Sequence, residues 1–329
     1  MDSGDTRTGA PCGRIAGLAS IFDMASLPHR RDVLKAALGG AAGIALMPVL
    51  ARARSSSLSV QKLGPDIAVI SGAGGNVVVA GERNGLVMID GGAAEHSKAL
   101  LKAIEKEFGG RPVQTLFNTH WHAKQTGSNL ALAKKGATIV SHANTRLWLS
   151  TDVKWPWSDQ VFQPLPVEAR PSKIFYEHDE MPFGGSKIDY SYMLQAHTDG
   201  DIYIHFPEAN VLVAGGAISS DNWPEIDWWT GGWMGGVVEG AETLLQVANE
   251  DTRIVPANGP VMTKAELAKQ RDMYADLFVQ FRTLLFSGLS PDEAVAKKPT
   301  GDYQPEWTNR DKFTRLAFES YWGYFAQDA

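Results

Sequence analysis

The sequence predicts an α/β protein with helices packed on β-sheet, and three observations carry that reading. Short, largely apolar runs at 85–89, 113–117 and 137–140 read as strands. Residues 95–108 have helical spacing and stop at Gly109-Gly110. The strand ending at Phe117 leads into a loop, Thr119-His120-Trp121-His122, at its carboxyl end, where open α/β sheets usually carry their sites.

In chain order, residues 1–53 are read as an extension and export signal, and 54–329 as one domain. His29-Arg30-Arg31-Asp32 has the paired arginines of a twin-arginine signal. The apolar segment 36–50 is short and rich in Gly and Ala, a poor membrane span, and Ala51-Arg52-Ala53 offers a cleavage site. Met24, just upstream of the arginines, is a second candidate start. The expected mature chain begins near Arg54, keeps no membrane span and works in a bacterial periplasm. The only cysteine, Cys12, lies upstream of the cut, so no disulfide or thiolate ligand is expected. A net charge of -6 over 329 residues argues against a nucleic-acid binder, which usually shows a basic surface.

The domain then opens with strands at 59–70 and 77–80 around the Gly-rich turn 71–76. The strand 85–89 ends in Asp90-Gly91-Gly92, and after the helix and the strand 113–117 comes the histidine loop. Ser128 or Asn129 is suited to cap a helix over 130–135, with Gly136 as its stop. A strand at 137–140 and a helix from 144 follow. Residues 150–185 hold Trp155, Trp157 and several prolines, and a connection of that length is read as a flap beside the site.

A strand at 190–196 delivers His197-Thr198-Asp199-Gly200-Asp201. A hairpin at 202–206 and 210–214 is expected to end at Gly215-Gly216, before a Trp- and Gly-rich loop at 221–236. A helix at about 241–249 and a strand at 253–255 lead to Asn258. The rest is helical: 263–286 with a Thr263/Glu266 capping box, a helix opening at Ser290-Pro291, and 308–325.

Two histidines one residue apart can aim two imidazoles at one cation, although the pattern alone fits two solvated side chains as well. His96, His142, His178 and His205 read as ordinary histidines rather than ligands. The stretch 119–129 resembles the metal-binding loop of the metallo-β-lactamase fold superfamily, His-x-His-x-Asp-His, often followed by Thr-Gly-Ser-Asn. Ile89-Asp90-Gly91 resembles the first motif of that family, His197 in His-Thr-Asp-Gly-Asp its third histidine, and 207–212 a common hairpin. The resemblance implies an αββα sandwich, two facing sheets with helices outside, followed by C-terminal helices.

It also implies a three-histidine zinc site of His120, His122 and His197, with a fourth position open for water. The positions that hold a second metal in the family are here Lys124, Gln125, Gly216 and Asn258. None of these is anionic or an imidazole, and an ammonium repels a cation, so one zinc per chain is expected. The implied activity is hydrolysis of an ester, lactone or amide. Lys124 is then a built-in cation, Asn258 a neutral hydrogen-bonding group, and Asp90 a stand-in for the missing loop carboxylate. Asp199 and Asp201 are alternatives for that last role, readable equally as turn residues. Trp121, Trp223 and Trp233 are the expected lining for an apolar or aromatic small-molecule substrate. The rival reading is a non-catalytic periplasmic relative that binds or scaffolds.

Overall fold

The computed structural model describes residues 58–325 apart from 84 and 302; the expected extension, the twin-arginine signal and Cys12 lie outside these residues. The single strand expected over 59–70 is two, β1 (Ser59–Gly64) and β2 (Ile67–Ser71), because Pro65-Asp66 turns the chain into a hairpin. Next come β3 (Val77–Glu82), β4 (Gly85–Ile89), α1 (Ser97–Glu107) and β5 (Val113–Phe117). The histidine loop carries two short helices, α2 (Ala123–Thr126) and α3 (Asn129–Ala133), before β6 (Thr138–His142) and α4 (Ala143–Trp148).

The stretch expected as a flap is only partly one. A two-strand ribbon, β7 (Val153–Lys154) with β8 (Val161–Phe162), lies in it. Its later part supplies β9 (Lys173–Phe175) to one main sheet and β10 (His178–Phe183) to the other. Then follow β11 (Ser186–Tyr192), β12 (Ile202–Phe206), β13 (Val211–Ser219), α5 (Met234–Val247) and β14 (Arg253–Asn258). The chain closes with α6 (Lys264–Phe286), α7 (Pro291–Ala296) and α8 (Arg310–Phe325). Capping boxes are present at Thr263/Glu266 and Ser290/Glu293, as the sequence predicts.

One sheet runs β1-β2-β3-β4-β5-β6-β9, antiparallel to β4 and parallel beyond it; the other runs β10-β11-β12-β13-β14, with only the last pair parallel. Side chains alternate across each strand. Val78, Ile89 and Phe117 meet Tyr190, Ile204 and Val213 between the sheets. Their neighbours Val79, Met88 and Leu116 face outward onto Leu100 and Ile104 of α1. On the other flank Leu212 and Ile254 pack with Val237, Leu277 and Phe313 of the late helices. Both sheets are therefore covered on both faces, the αββα sandwich.

Two further boundaries differ from the sequence reading. Gly215-Gly216 does not end β13, which runs on to Ser219. The helix expected from about 241 starts at Met234, because Gly236 lies against the chain at Gln195. A Cβ at 236 would fall 1.9 Å from the Gln195 carbonyl oxygen, so glycine here permits close packing rather than a loop.

Candidate metal centre

The site forms where β4, β5, β13 and β14 end. Asp90 follows β4 in a left-handed conformation, φ 63°. That turn points its carboxylate at the next strand, where it accepts the Thr119 N–H at 2.8 Å and the Thr119 hydroxyl at 2.8 Å. Asn118 and Asn129 exchange side-chain hydrogen bonds across the loop, at 2.8 and 3.1 Å. Ser128 donates to the Gly91 carbonyl oxygen. These two polar residues tie the loop to β4 and β5; neither makes the side-chain cap the sequence suggested.

The loop brings His120 and His122 to His197, which follows β11. Ring centroids lie 4.9 Å (His120–His122), 4.7 Å (His120–His197) and 4.7 Å (His122–His197) apart. Each ring has one nitrogen engaged behind it. His120 Nδ1 faces the Thr119 hydroxyl at 3.0 Å, and that hydroxyl already gives its proton to Asp90, so the imidazole is the donor. His122 Nε2 donates to Asp227 Oδ2 at 3.0 Å. His197 Nδ1 donates to the Glu225 carbonyl oxygen. With these partners behind the rings, His120 Nε2, His122 Nδ1 and His197 Nε2 are the nitrogens that face one another.

That arrangement fits a cation. His197 Nε2 and His122 Nδ1 are 3.1 Å apart, and one ligand atom from each histidine lies within 4.8 Å of the others. A proton or a metal ion between the two ring nitrogens satisfies both lone pairs at that distance. The spacing is close to the edge of a tetrahedron with metal–nitrogen bonds of about 2.0–2.1 Å. Burial, then the charges of the neighbouring imidazoles, hold His120 well below the usual histidine range. Burial and His122 bring His197 down to about 3, so these rings are neutral and available as ligands. Burial is the largest single influence on the Asp227 carboxyl and raises it, but the hydrogen bonds from His122 and Thr230 and the nearby imidazoles together hold it below the usual carboxylate range. A carboxylate or carbonyl behind each ligating imidazole is the usual support of a histidine metal site.

A cavity of about 380 Å³ opens over the three rings. Lys124, Gln125, Gly216 and Asn258 all line it, so the four positions that the sequence reading grouped together share one space with the histidines. Lys124 is exposed at its rim, and Gln125 is buried, its amide nitrogen beside Gly75. Gly216 lies directly under the rings. A Cβ there would fall 2.4 Å from His197 Cδ2 and 2.9 Å from His120 Cε1, so the imidazoles fill the space a side chain would need.

The other expected residues separate. Asp90 is buried behind Thr119, away from the cavity, and burial pushes its carboxyl up to about 7. Asp199 accepts the Trp148 indole N–H at 2.6 Å, and Asp201 accepts the N–H groups of His197 and Thr198; neither lines the cavity. Burial raises Asp199 to about 6 and Asp201 to about 8. Trp223 lines the cavity. Trp121 is buried beside His122, with its indole N–H on the Thr230 hydroxyl at 3.0 Å. Trp233 is not at the cavity: opening α5, it stacks on Tyr324 at 3.8 Å, because that helix begins earlier than its glycines suggest.

The sequence reading missed Asp227, Glu225 and Lys312. Asp227 sits in the Trp-rich loop, and no spacing links it to His122, 105 residues earlier. Among the described residues a second metal-like grouping, His178, Glu180 and Asp189, lies on β10 and β11, where Lys187 already pairs with both acids. No described helix is long and apolar enough to cross a membrane.

Comparison with known proteins agrees with this geometry. The chain is 24% identical over 203 residues to a metallo-beta-lactamase type 2 of Bacillus sp. (strain 170), covering 60% of this chain and 72% of that one. The metallo-beta-lactamase from Pontibacter korlensis superposes with a TM-score of 0.55 at 18% identity, over 67% of this chain and all of the other. The stereoselective inverting sec-alkylsulfatase Pisa1 from Pseudomonas sp. gives a TM-score of 0.62 at 15% identity, over 82% of this chain and 51% of that larger one. At such identities these structures share the fold and no more. The sequence profile of the Metallo-beta-lactamase superfamily, however, matches residues 70–261, the span holding every loop described above, and by that match this chain belongs to the metallo-beta-lactamase superfamily.

Proposed function

We propose that this chain is an exported hydrolase that uses one zinc, held by His120, His122 and His197, on an ester, lactone or amide. The observation that carries the proposal is the set of three ring nitrogens turned toward one point while each ring's other nitrogen is occupied. Zinc in such a site supplies a water of lowered pKa, about 7, and polarises a carbonyl.

The protein's own groups orient and hold. Asp227, the Glu225 carbonyl and the Thr119–Asp90 pair fix the ligand rings. Lys124 steadies negative charge developing on the substrate oxygen, and Asn258 donates to it. Asp90 acts through Thr119 and His120 rather than on substrate. The second metal is absent in this reading. Lys124, Gln125, Gly216 and Asn258 support that, having no anionic or imidazole donor among them, as does the lack of room for a side chain at 216. Trp155, Phe162 and Trp223 give the cavity aromatic lining, which supports an apolar or aromatic substrate. The paired arginines support export to the periplasm.

Metal analysis of the purified mature protein tests this. One zinc per chain is expected, lost in His122→Ala together with turnover on a panel of aryl esters, lactones and amides. A metal-free wild type with no turnover would instead establish a non-catalytic binding or scaffold protein. Retention of the full chain in the cytoplasm after Arg30→Lys and Arg31→Lys, against cleavage and release of the wild type, tests the export step.

A further inference from the structure

The cavity over the histidines is charged in a one-sided way. Two lysines line it, Lys124 from the histidine loop and Lys312 from α8. Among the described residues its one lining carboxylate is Glu225, whose Oε2 is taken by Lys312 at 2.9 Å. Lys124 has no ion-pair partner among the described residues, although it borders the rings at the position where the family carries a metal-binding carboxylate. The amides of Gln125, Asn222, Asn258 and Asn309 add neutral donors around the same space. Lys312 and Asn309 lie beyond residue 261, where the match to the family profile ends, so the C-terminal segment of this chain brings its own cation to the site.

In the same cavity Trp155 and Phe162 stand 4.6 Å apart, edge to face, and form part of the lining from the flap. An uncompensated cation and neutral donors in one cavity with an aromatic wall are complementary to a molecule that carries both an acid group and an apolar body. A wholly apolar ligand would have to strip water from Lys124 and gain nothing in return.

We propose that the substrate is an amphipathic organic anion, its acid group bound by Lys124 and its apolar body lying on Trp155 and Phe162. This rests on the hydrolase reading for the word substrate, but the recognition itself requires no turnover. It narrows the aromatic substrate expected from the tryptophans to one carrying a negative charge. It also gives Lys124 a ground-state role, binding an acid group the substrate brings with it, besides the charge it meets during reaction.

The test is binding, followed by tryptophan fluorescence, of 4-phenylbutyrate and its uncharged amide, 4-phenylbutyramide. Each is titrated into zinc-loaded and chelator-treated full-length mature protein, with sodium sulfate alone as the compact-anion control. The acid should bind about tenfold or more tighter than the amide in both preparations. Lys124→Gln should cut that ratio to about threefold or less, and Lys124→Arg should keep most of it. Sulfate alone should bind at least about tenfold more weakly than 4-phenylbutyrate, because it cannot use the aromatic wall. Equal binding of acid and amide would overturn the proposal. So would an acid preference seen only with zinc and untouched in Lys124→Gln, which would assign the anion to the metal. Should the protein prove inactive, the zinc-free titrations still decide the point, so failure of the hydrolase reading and failure of this one are separable.

Discussion

Oδ2 of Asp227 accepts two hydrogen bonds at once, from His122 Nε2 at 3.0 Å and from the Trp155 indole N–H at 3.1 Å. One oxygen thus fixes the ring of a proposed zinc ligand and anchors the flap tryptophan that walls the cavity. The carboxylate itself is fully buried, with Oδ1 accepting the Thr230 N–H at 3.2 Å. Seating of the flap and orientation of the ligand are therefore two readings of the same contact.

Removing that charge should loosen zinc without emptying the fold. Asp227→Asn is expected to lower zinc affinity about 10- to 100-fold, the usual effect of losing the group behind a ligating histidine. Trp155→Phe keeps the carboxylate and the aromatic wall and should cost no more than about threefold. Competition with a chromophoric chelator reads both. Unchanged affinity in Asp227→Asn would falsify the assignment of Asp227 as the support of His122.

The line Asp90–Thr119–His120 makes a second, independent prediction. Thr119→Val keeps the shape but removes the hydroxyl that joins carboxylate to imidazole. Zinc affinity should fall about tenfold or more. Stability should drop by about 1–3 kcal/mol, because Asp90 stays buried with a donor missing. Denaturant midpoints and the same chelator assay measure the two effects separately. Thr119→Ser, which restores the hydroxyl, should recover most of both.

Gly216 is where the site has closed on itself. With His197 Cδ2 only 2.4 Å from the Cβ that Gly216→Ala would add, a ring has to move. We expect a stability loss of about 1–3 kcal/mol, typical of overpacking, together with loss of zinc. It follows that pairing Lys124→Asp with Gly216→Asp should not rebuild a second metal site. Two zincs per chain in that double variant would show the vacancy is still open, against this account.

Far from the site, Lys173 of β9, Asp179 of β10 and the Tyr190 hydroxyl of β11 meet across the edges of the two sheets. Lys173 Nζ lies 2.8 Å from Asp179 Oδ2 and 2.9 Å from the Tyr190 hydroxyl oxygen, and that hydroxyl donates to Asp179 at 2.7 Å. The Lys173 and Tyr190 hydrogen bonds hold the Asp179 carboxyl down at about 2. An unfolded aspartate titrates near about 3.9, so this stabilisation is complete above that value and is lost as pH falls toward about 2. The group is 35% exposed, so solvent screening limits its contribution to about 1 kcal/mol or less. Asp179→Asn should therefore destabilise the protein by that amount at about pH 6, with the difference fading near about pH 2. A difference that grew on acidification would contradict the assignment.

The local pattern of the chain already contained most of the sandwich and half of the centre. Apolar runs such as 85–89 are strands because burial on both faces demands unbroken apolar side chains, and the capping boxes at Thr263 and Ser290 mark their helices by short-range hydrogen bonds. His120, His122 and His197 were legible because their loops resemble a known motif. What sequence spacing could not carry was the partner behind each ring. Asp227 and Glu225 reach His122 and His197 only because the Trp-rich loop folds back over the ends of the sheets. The same loop misled in part: Trp233 belongs to a helix whose glycines exist for close packing on Gln195, and so it lies with Tyr324 instead of the cavity. Strands and caps are set by neighbours a few residues apart, which a sequence displays. The charge balance of the cavity, with Lys124 unpaired among the described residues and Lys312 delivered from α8, comes from segments far apart in the chain, and only their packing together decides it.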